Sequence, residues 1–231
     1  MKKNNQSIAI LGGMGPQASA KLVEVIIAMC SKEFGARNDE DFPEIALSSV
    51  PVPDFISNKK NLGLVLEILK SRVKSLENFN PACFGIACNT AHLMIEDLQI
   101  TTNVPFISIM NEVSKEATKL GIETIGLLST PTTAKSGLYS KALEGIDLII
   151  PTVNEQKTVE KVIRNVLAGK STTKDKEALI WIANNLRKRG ARGIILGCTE
   201  LPLIFPKDFP LPVFDSIEIL ARGLLKKFYE N

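Results

Sequence analysis

Short apolar runs alternate with amphipathic segments along most of this 231-residue chain. In the segment 63–78, for example, leucine and valine recur at spacings of three and four, as in a helix with one buried face. This alternation is typical of βα units around parallel sheets, so the sequence predicts the α/β fold class. The predicted strands are 7–12, 45–50, 83–88, 106–109, 124–129, 148–152, 193–197 and 213–215, and the predicted helices are 17–33, 63–78, 91–99, 111–120, 133–144, 155–168 and 174–189.

The two halves of the chain repeat the same order of elements. Residues 8–13 and 124–129 each predict a strand that runs into a turn with a proline nearby. Each half then contains a cysteine segment, 87–92 or 196–200, followed by a proline-led strand. This repetition favours two similar lobes, each with a parallel four-stranded sheet flanked by helices, although any two α/β halves share part of such a pattern.

Glycine-rich or polar segments follow several of the predicted strands. They are 12–16, 88–90, 129–133 and 198–200. In open parallel sheets, ligands bind beyond the carboxyl ends of the strands. If the two lobes face each other, these segments border one cleft between the lobes, and we predict the active site there.

The first cysteine segment places a thiol where it can be activated. Cys88 ends a predicted strand and precedes a helix predicted to begin near Ala91. The amides and dipole of a helix N-terminus lower the pKa of a nearby thiol from about 8.5 towards neutrality. Asn89 and Thr90, which follow, are cap-type residues that also offer side-chain donors to a carboxylate. A reactive thiol beside a carboxylate-binding group is therefore predicted.

The second cysteine segment repeats this arrangement. Cys198 follows another predicted strand, with Thr199 as a donor and Glu200 as a carboxylate near the thiol. The usual role of a lone cysteine is that of a small core residue. We expect that role for Cys30, late in an apolar helix, and for Cys83, near the start of a strand.

The first predicted strand ends in the glycine-rich segment 13–18, which fits the permissive G-x-G-x-x-A dinucleotide pattern. That pattern requires an acidic residue at the end of the second strand, but Val-Pro-Val-Pro occupies 50–53, and Asp54 comes late. We favour a tight loop whose amides near Met14 approach a small anion.

His92 is the single histidine of the chain, which limits the possible chemistry. No G-x-S-x-G elbow accompanies it, and the spacing of Cys83 and Cys88 is not the C-x₂-C of a zinc site. A Cys–His hydrolase dyad remains open. His92 either tunes the Cys88 thiol or caps the following turn.

Composition adds limits on the binding partners and the cellular location of the protein. A net charge of +3 with scattered basic residues gives no reason to expect a nucleic-acid partner. No apolar stretch approaches the ~20 residues of a membrane span, and the N-terminal apolar run is too short for a signal peptide. We expect a cytoplasmic protein without membrane contact, whose four cysteines remain thiols.

Two thiols on opposite faces of one carbon atom can invert its configuration. The thiolate removes the proton from one face while the opposite thiol returns one to the other face, and no cofactor takes part. Removal of an amino acid's α-proton needs charge stabilisation and exclusion of water. Donors from Asn89, Thr90 and Thr199, and amides near 13–14, suit the substrate carboxylate, which becomes more electron-rich in this step.

Three motifs together resemble those of the PLP-independent aspartate/glutamate racemase family, most closely its aspartate racemase branch. They are Leu-Gly-Gly-Met-Gly-Pro at 11–16, Cys-Asn-Thr-Ala-His at 88–92 and Gly-Cys-Thr-Glu at 197–200. The resemblance implies a cofactor-independent racemase with a small amino-acid substrate, and enzymes of this family are commonly homodimers. It also implies lobes related by a pseudo-twofold axis, with Cys88 and Cys198 as the catalytic acid/base pair.

The resemblance further implies that the C-terminal segment returns to the first lobe. We therefore expect residues 1–103 plus 214–231 in the first lobe and 104–213 in the second. Aspartate racemases typically carry Pro-Asp-Arg after the second strand, where this chain has Phe55 after Asp54. The segment 162–169 also lacks the tyrosine and lysine often found there, and Arg164 and Lys157 are the candidates for the missing cation.

The resemblance leaves the amino acid undefined, with aspartate or glutamate expected first. The predicted substrate-binding residues are Met14, Asp54, Asn89, Thr90, Thr130, Thr199 and Glu200. The alternatives are a racemase of broad amino-acid specificity, a cysteine-dependent isomerase or decarboxylase acting on a small carboxylate, and an inactive binding module.

Overall fold

The computed structural model describes residues 6–55 and 60–230. These form two compact units, the first from 6–54, 60–108 and 217–230, and the second from residue 55 with 109–216. Each unit contains one four-stranded parallel sheet with helices packed against it. The predicted α/β class with two such sheets is therefore confirmed.

The described elements are numbered in chain order. Strands β1 to β8 are Ser7–Gly12, Glu44–Ser49, Pro81–Ile86, Phe106–Ile107, Thr124–Ser129, Asp147–Ile149, Ile194–Gly197 and Val213–Asp215. Helices α1 to α9 are Pro16–Glu33, Leu62–Leu76, Ile95–Gln99, Ile109–Lys119, Pro131–Ser136, Leu138–Ala142, Val153–Leu167, Thr173–Lys188 and Ser216–Tyr229. Short 3₁₀ helices cover Asp39–Asp41, Glu77–Phe79, Thr90–Met94 and Leu201–Leu203.

The sheet of the first unit has the order β2-β1-β3-β4. Every residue of β1 and β3 is buried, as expected for apolar strands at the centre of a sheet covered on both faces. The carboxyl ends of these two strands lie side by side, since Leu11 pairs with Ile86 and the N–H of Ala87 donates to the Leu11 carbonyl at 2.9 Å. The loops after β1 and β3 therefore start at one edge.

Helix α9 completes the first unit from the far end of the chain. A Cβ atom on Gly85 of β3 would lie 2.9 Å from Leu224, so glycine lets this helix pack closely on the sheet. The guanidinium of Arg222 contacts both carboxylate oxygens of Glu33 at 3.0 Å.

The sheet of the second unit has the order β6-β5-β7-β8, the same pattern as the first. Ser129 at the end of β5 pairs with Gly197 at the end of β7, so the loops after these strands also start side by side. Helices α7 and α8 pack on the sheet and are joined by a 2.9 Å hydrogen bond from Asn165 to Asp175. The core between them is aliphatic and includes Val159, Ile163, Leu179, Ile182 and Leu186.

Most of the predicted helices and strands are present, and the differences in their boundaries have local causes. The strands predicted at 7–12, 124–129 and 213–215 are confirmed at both ends. The single helix predicted at 133–144 is wrong, because Gly137 adopts φ +78° and separates α5 from α6. Gly121 and Gly190 have positive φ at the predicted helix ends.

The other errors lie where strands end. The strand predicted at 83–88 ends earlier, at Ile86, so Cys88 lies beyond it. The strand predicted at 148–152 ends at Ile149, because the Thr152 side chain caps α7. The strand predicted at 106–109 ends at Ile107, and Ile109 already begins α4.

Candidate functional site

Each unit carries one of the two predicted catalytic cysteines, Cys88 or Cys198, at the carboxyl edge of its sheet. Cys198 directly follows β7, and Cys88 lies two residues beyond β3. Strands β3 and β7 occupy the same position in the two sheet orders. The exposed fractions are 7% for Cys88 and 6% for Cys198, so both thiols are nearly excluded from water.

The turn after Cys88 is held by His92. The imidazole Nδ1 lies 2.8 Å from the Cys88 carbonyl oxygen, and the His92 backbone N–H donates to the Asn89 carbonyl at 3.1 Å. Burial lowers the pKa of His92 to about 4, against the opposing effect of hydrogen bonds to the carbonyls of Cys88 and Ile107. The imidazole is therefore neutral near pH 7.

One expectation for Cys88 is wrong. The residues Thr90–Met94 form a 3₁₀ helix, and α-helical geometry begins at Ile95, not near Ala91. Cys88 is thus not at the N-terminus of an α-helix, because the tighter turn separates them. Asn89 and Thr90 are buried beside it, with 1% and 2% of their surface exposed.

The glycine loop after β1 is closed by Ser19, a residue that sequence reasoning missed. The Gly13 N–H donates to Ser19 Oγ at 2.9 Å, and this hydroxyl donates to the Gly15 carbonyl at 2.8 Å. The Gly13 N–H is therefore already hydrogen-bonded within the loop. Of the two amides considered for binding an anion, the one that stays a candidate is that of Met14. Gly13 has φ +89°, and a Cβ there would collide with the backbone of Val50.

The Pro-Asp-Phe stretch contains two very different side chains. Asp54 is exposed, and its backbone carbonyl accepts a 2.7 Å hydrogen bond from the Asn61 side chain. Phe55 has 3% of its surface exposed, and its carbonyl accepts from Thr132 Oγ1 at 3.3 Å. An apolar ring is thus buried at the position for which the resemblance to aspartate racemases implied an arginine.

Cys198 belongs to a buried polar cluster. Its Sγ donates to Glu200 Oε2 at 2.9 Å, and Thr199 Oγ1 donates to the same oxygen at 3.3 Å. The exposed fractions are 2% for Thr199 and 3% for Glu200. A carboxylate and a thiol are therefore in direct contact at the end of β7, as the sequence Cys-Thr-Glu predicted in outline.

Tyr139 is a second residue that the sequence did not single out. Its ring lies 3.1 Å from the position that a Cβ on Gly197 would take, and its exposed fraction is 1%. Burial raises its pKa well above the usual range, and Cys198 adds to this effect when its thiol is ionised. Its hydroxyl therefore stays neutral beside this cysteine. No sequence signal marks it, since its role depends on how α6 packs against β7.

Thr130 has a structural use. Its Oγ1 accepts from the Thr133 N–H at 3.1 Å, which caps α5, and its hydroxyl proton is directed at Thr133 Oγ1 at 3.0 Å. The preceding carbonyl, of Ser129, accepts from the Gln156 side chain at 2.8 Å. These bonds hold the loop next to Cys198 in place.

The other two cysteines lie in the core, as expected. Cys30 and Cys83 have no exposed surface. Burial raises the pKa of Cys83 to about 12, and its Sγ contacts the Leu224 carbonyl at 3.7 Å.

Within residues 6–55 and 60–230, no group of three His, Cys, Asp or Glu side chains is arranged to hold a metal ion. The same part of the chain contains no helix that is long and apolar enough to cross a membrane.

The chain is similar to racemases over nearly its whole length. It is 26% identical over 223 residues to the broad specificity amino-acid racemase RacX of Bacillus subtilis, covering 96% of this chain and 97% of that one. The crystal structure of an aspartate racemase homologue from Pyrococcus horikoshii matches with a TM-score of 0.81 and 31% identity, over 97% of this chain and 99% of that one.

The aspartate racemase of Picrophilus torridus matches with a TM-score of 0.84 and 29% identity, over 97% and 94% of the two chains. The sequence model of the Asp/Glu/Hydantoin racemase family covers residues 11–224. The resemblance seen in the three motifs is thereby confirmed, and with it the racemase class of the enzyme. This chain belongs to the Asp/Glu/Hydantoin racemase family.

Proposed function

We propose that the protein is a cofactor-independent amino-acid racemase in which Cys88 and Cys198 exchange protons with the α-carbon of the substrate. The observation that carries this proposal is the equivalent placement of the two thiols. Each is nearly buried and follows the corresponding strand of its unit, at the edge where parallel sheets bind ligands.

The proposed reaction is a two-base inversion. One cysteine, as thiolate, forms an S–H bond with the α-proton while the Cα–H electron pair moves towards the substrate carboxylate. The other cysteine, as thiol, gives its proton to the opposite face of the same carbon. The product is the enantiomer, and the two sulfur atoms have exchanged their protonation states.

The substrate carboxylate needs hydrogen-bond donors as its charge grows. Asn89 and Thr90 lie next to one thiol, and Thr199 lies next to the other. The Met14 amide lies in the loop after β1, a strand that pairs with β3, which precedes Cys88. Hydrogen bonds to a charged group contribute about 1.5–3 kcal/mol each, so a few of them lower the barrier substantially.

For the substrate, we propose amino acids with uncharged side chains in addition to aspartate and glutamate. The buried apolar ring of Phe55 supports this extension, because it offers no charge to a side-chain carboxylate. The match to a racemase described as having broad specificity supports it as well.

We also propose a cytoplasmic homodimer. The four cysteines are thiols that form no disulfide, which suits a reducing compartment, and the family resemblance suggests the dimer. The exposed Trp181 and Val153, with 60% and 76% of their surface accessible, are compatible with a subunit contact. Light scattering at micromolar concentration measures the mass, and cell fractionation measures the location.

The decisive experiment follows the α-proton. Each amino acid is incubated with the protein in D₂O, and optical rotation is recorded together with deuterium at Cα by mass spectrometry. A racemase loses rotation and gains deuterium in parallel. Cys88→Ser and Cys198→Ser are each expected to abolish racemisation, whereas Cys30→Ala, which removes a buried core thiol, keeps it.

Two other outcomes would overturn the proposal. Conversion of a small carboxylate into an isomer other than its enantiomer, or release of CO₂ from it, would identify an isomerase or a decarboxylase. Ligand binding without deuterium incorporation, unaffected by either cysteine substitution, would identify a binding module.

A further inference from the structure

The carboxylate of Glu200 accepts two hydrogen bonds on one oxygen. Cys198 Sγ donates to Oε2 at 2.9 Å, and Thr199 Oγ1 donates to the same atom at 3.3 Å. A carboxyl group is intrinsically more acidic than a thiol, so a single proton between the two at this distance belongs on the sulfur. The contact is therefore that of a Cys198 thiol with a Glu200 carboxylate.

We propose that Glu200 holds Cys198 as a protonated thiol in the resting enzyme, which makes Cys198 the resting proton donor and leaves Cys88 to act first as the base. This inference rests on the proposed function, because it assigns a role to each member of the cysteine pair. Glu200 is a positioning residue here, since it acts on the substrate through the thiol.

Burial makes the effect of Glu200 strong. The exposed fractions of Cys198 and Glu200 are 6% and 3%, so water screens their charges poorly. If Cys198 lost its proton, two negative charges would stand at hydrogen-bond distance, and like charges at a shared site oppose ionisation of the second group. The buried Glu200 carboxylate therefore stabilises Cys198 as a thiol relative to the thiolate.

Several described neighbours of Cys198 carry no charge. The titratable side chain described as facing it from α6 is Tyr139, which stays neutral. The remaining members of its core cluster are apolar, among them Leu128, Leu201 and Phe205. Thr199 contributes a neutral hydroxyl on the same carboxylate oxygen.

The reaction cycle then has an uneven energy profile. Removal of the α-proton by Cys88 and donation by Cys198 leave the proton on Cys88 and a thiolate beside Glu200. That form is the less stable one, so a proton returns to Cys198 before the next turnover in the same direction. The value of kcat is therefore expected to differ between the two enantiomers, although equilibrium requires equal kcat/KM for both.

The test measures the ionisation of Cys198 directly, in the full-length protein without substrate. Iodoacetamide alkylation is followed as a function of pH, and peptide mass spectrometry separates the rates at Cys198 and Cys88. We expect the Cys198 midpoint above the ~8.5 of a free thiol and above that of Cys88. In Glu200→Gln, the midpoint at Cys198 should fall by about one unit or more, so alkylation near neutral pH becomes roughly tenfold faster.

Two comparisons make the result specific. Glu200→Asp keeps the negative charge and should keep a raised midpoint, so it separates loss of charge from loss of packing. The Cys88 midpoint should stay the same in both variants, which shows that the fold is retained. An unchanged or raised Cys198 midpoint in Glu200→Gln, or a wild-type midpoint below that of Cys88, would overturn the inference.

These results are independent of racemase activity. Failure of the proposed function appears as missing deuterium at Cα in the wild-type protein. Failure of this inference appears as a wrong alkylation midpoint in a protein that still racemises.

Discussion

The Nδ1 atom of His92 lies 2.8 Å from the backbone carbonyl oxygen of Cys88. The ring also meets the Ile107 carbonyl, and a neutral imidazole has one N–H to share between these two acceptors. The contact at Nδ1 holds the ring against the peptide that follows the thiol. Of the two roles considered for His92 from the sequence, the structure favours holding the turn, because the contact is made to the backbone of Cys88.

The burial of His92 predicts a specific pH dependence of stability. Its pKa is about 4 in the folded protein, against 6.5 for an ordinary histidine. As the pH falls through 6.5, the unfolded chain takes up the proton first, and the free energy of unfolding drops until about pH 4. By about pH 5 the loss amounts to about 2 kcal/mol.

Urea denaturation at about pH 7.5 and about pH 5 measures this loss, with His92→Gln as the control. Glutamine can still donate to the Cys88 carbonyl but does not titrate, so the extra loss should disappear in the variant. Because the chain has one histidine, its Cε1–H resonance can be followed without assignment. A midpoint between pH 6 and 7 in the folded protein would contradict the prediction.

The buried ring of Phe55 predicts a change of substrate preference in Phe55→Arg. A guanidinium at this position can pair with a side-chain carboxylate. We expect the ratio of kcat/KM for aspartate to kcat/KM for an uncharged amino acid to rise about tenfold, which is about 1.4 kcal/mol. Deuterium exchange at Cα for the two substrates gives the ratio.

The matched control is Phe55→Leu, which keeps the site apolar and should leave that ratio unchanged. If Phe55→Arg lowers both activities in the same proportion, the side chain at this position does not determine the substrate.

The break between α5 and α6 predicts a cost for a side chain at Gly137. Its φ of +78° is unfavourable for any residue with a Cβ atom, although no neighbouring atom lies within 4 Å. Gly137→Ala should therefore lower the free energy of unfolding by about 1–2 kcal/mol through backbone strain alone.

Gly63 supplies the comparison. It lies in α2, also with no atom within 4 Å of an added Cβ, and its φ is not positive. Gly63→Ala should raise stability by about 0.5–1 kcal/mol, because alanine favours helix. Thermal denaturation of both variants gives the two values, and equal shifts would show that φ is not the cause.

The core cysteines should be unreactive. Burial raises the pKa of Cys83 to about 12, and Cys30 has no exposed surface. Iodoacetamide at about pH 8 is expected to leave both thiols unmodified in the folded protein and to alkylate them in urea. Peptide mass spectrometry measures the extent of modification, and rapid labelling of Cys83 without denaturant would contradict this.

The sequence predicted the elements well where local signals decide them. The boundaries of β1, β5 and β8 follow from apolar runs that end at turns, and the Cys-Thr-Glu order alone places Glu200 next to Cys198. The prediction failed at Cys88, where a 3₁₀ helix replaces the start of an α-helix, because the two patterns differ little in sequence.

The amino-acid sequence thus determined the α/β class, the two repeated sheets and the two cysteine segments, since periodicity and motif order are local properties of the chain. The tertiary structure decided which side chains and backbone groups contact the residues of these segments. Ser19 occupies the Gly13 amide and Tyr139 lies against Gly197 because distant segments pack together. Burial, which keeps His92 and Cys83 uncharged near neutral pH, exists only once the core has formed.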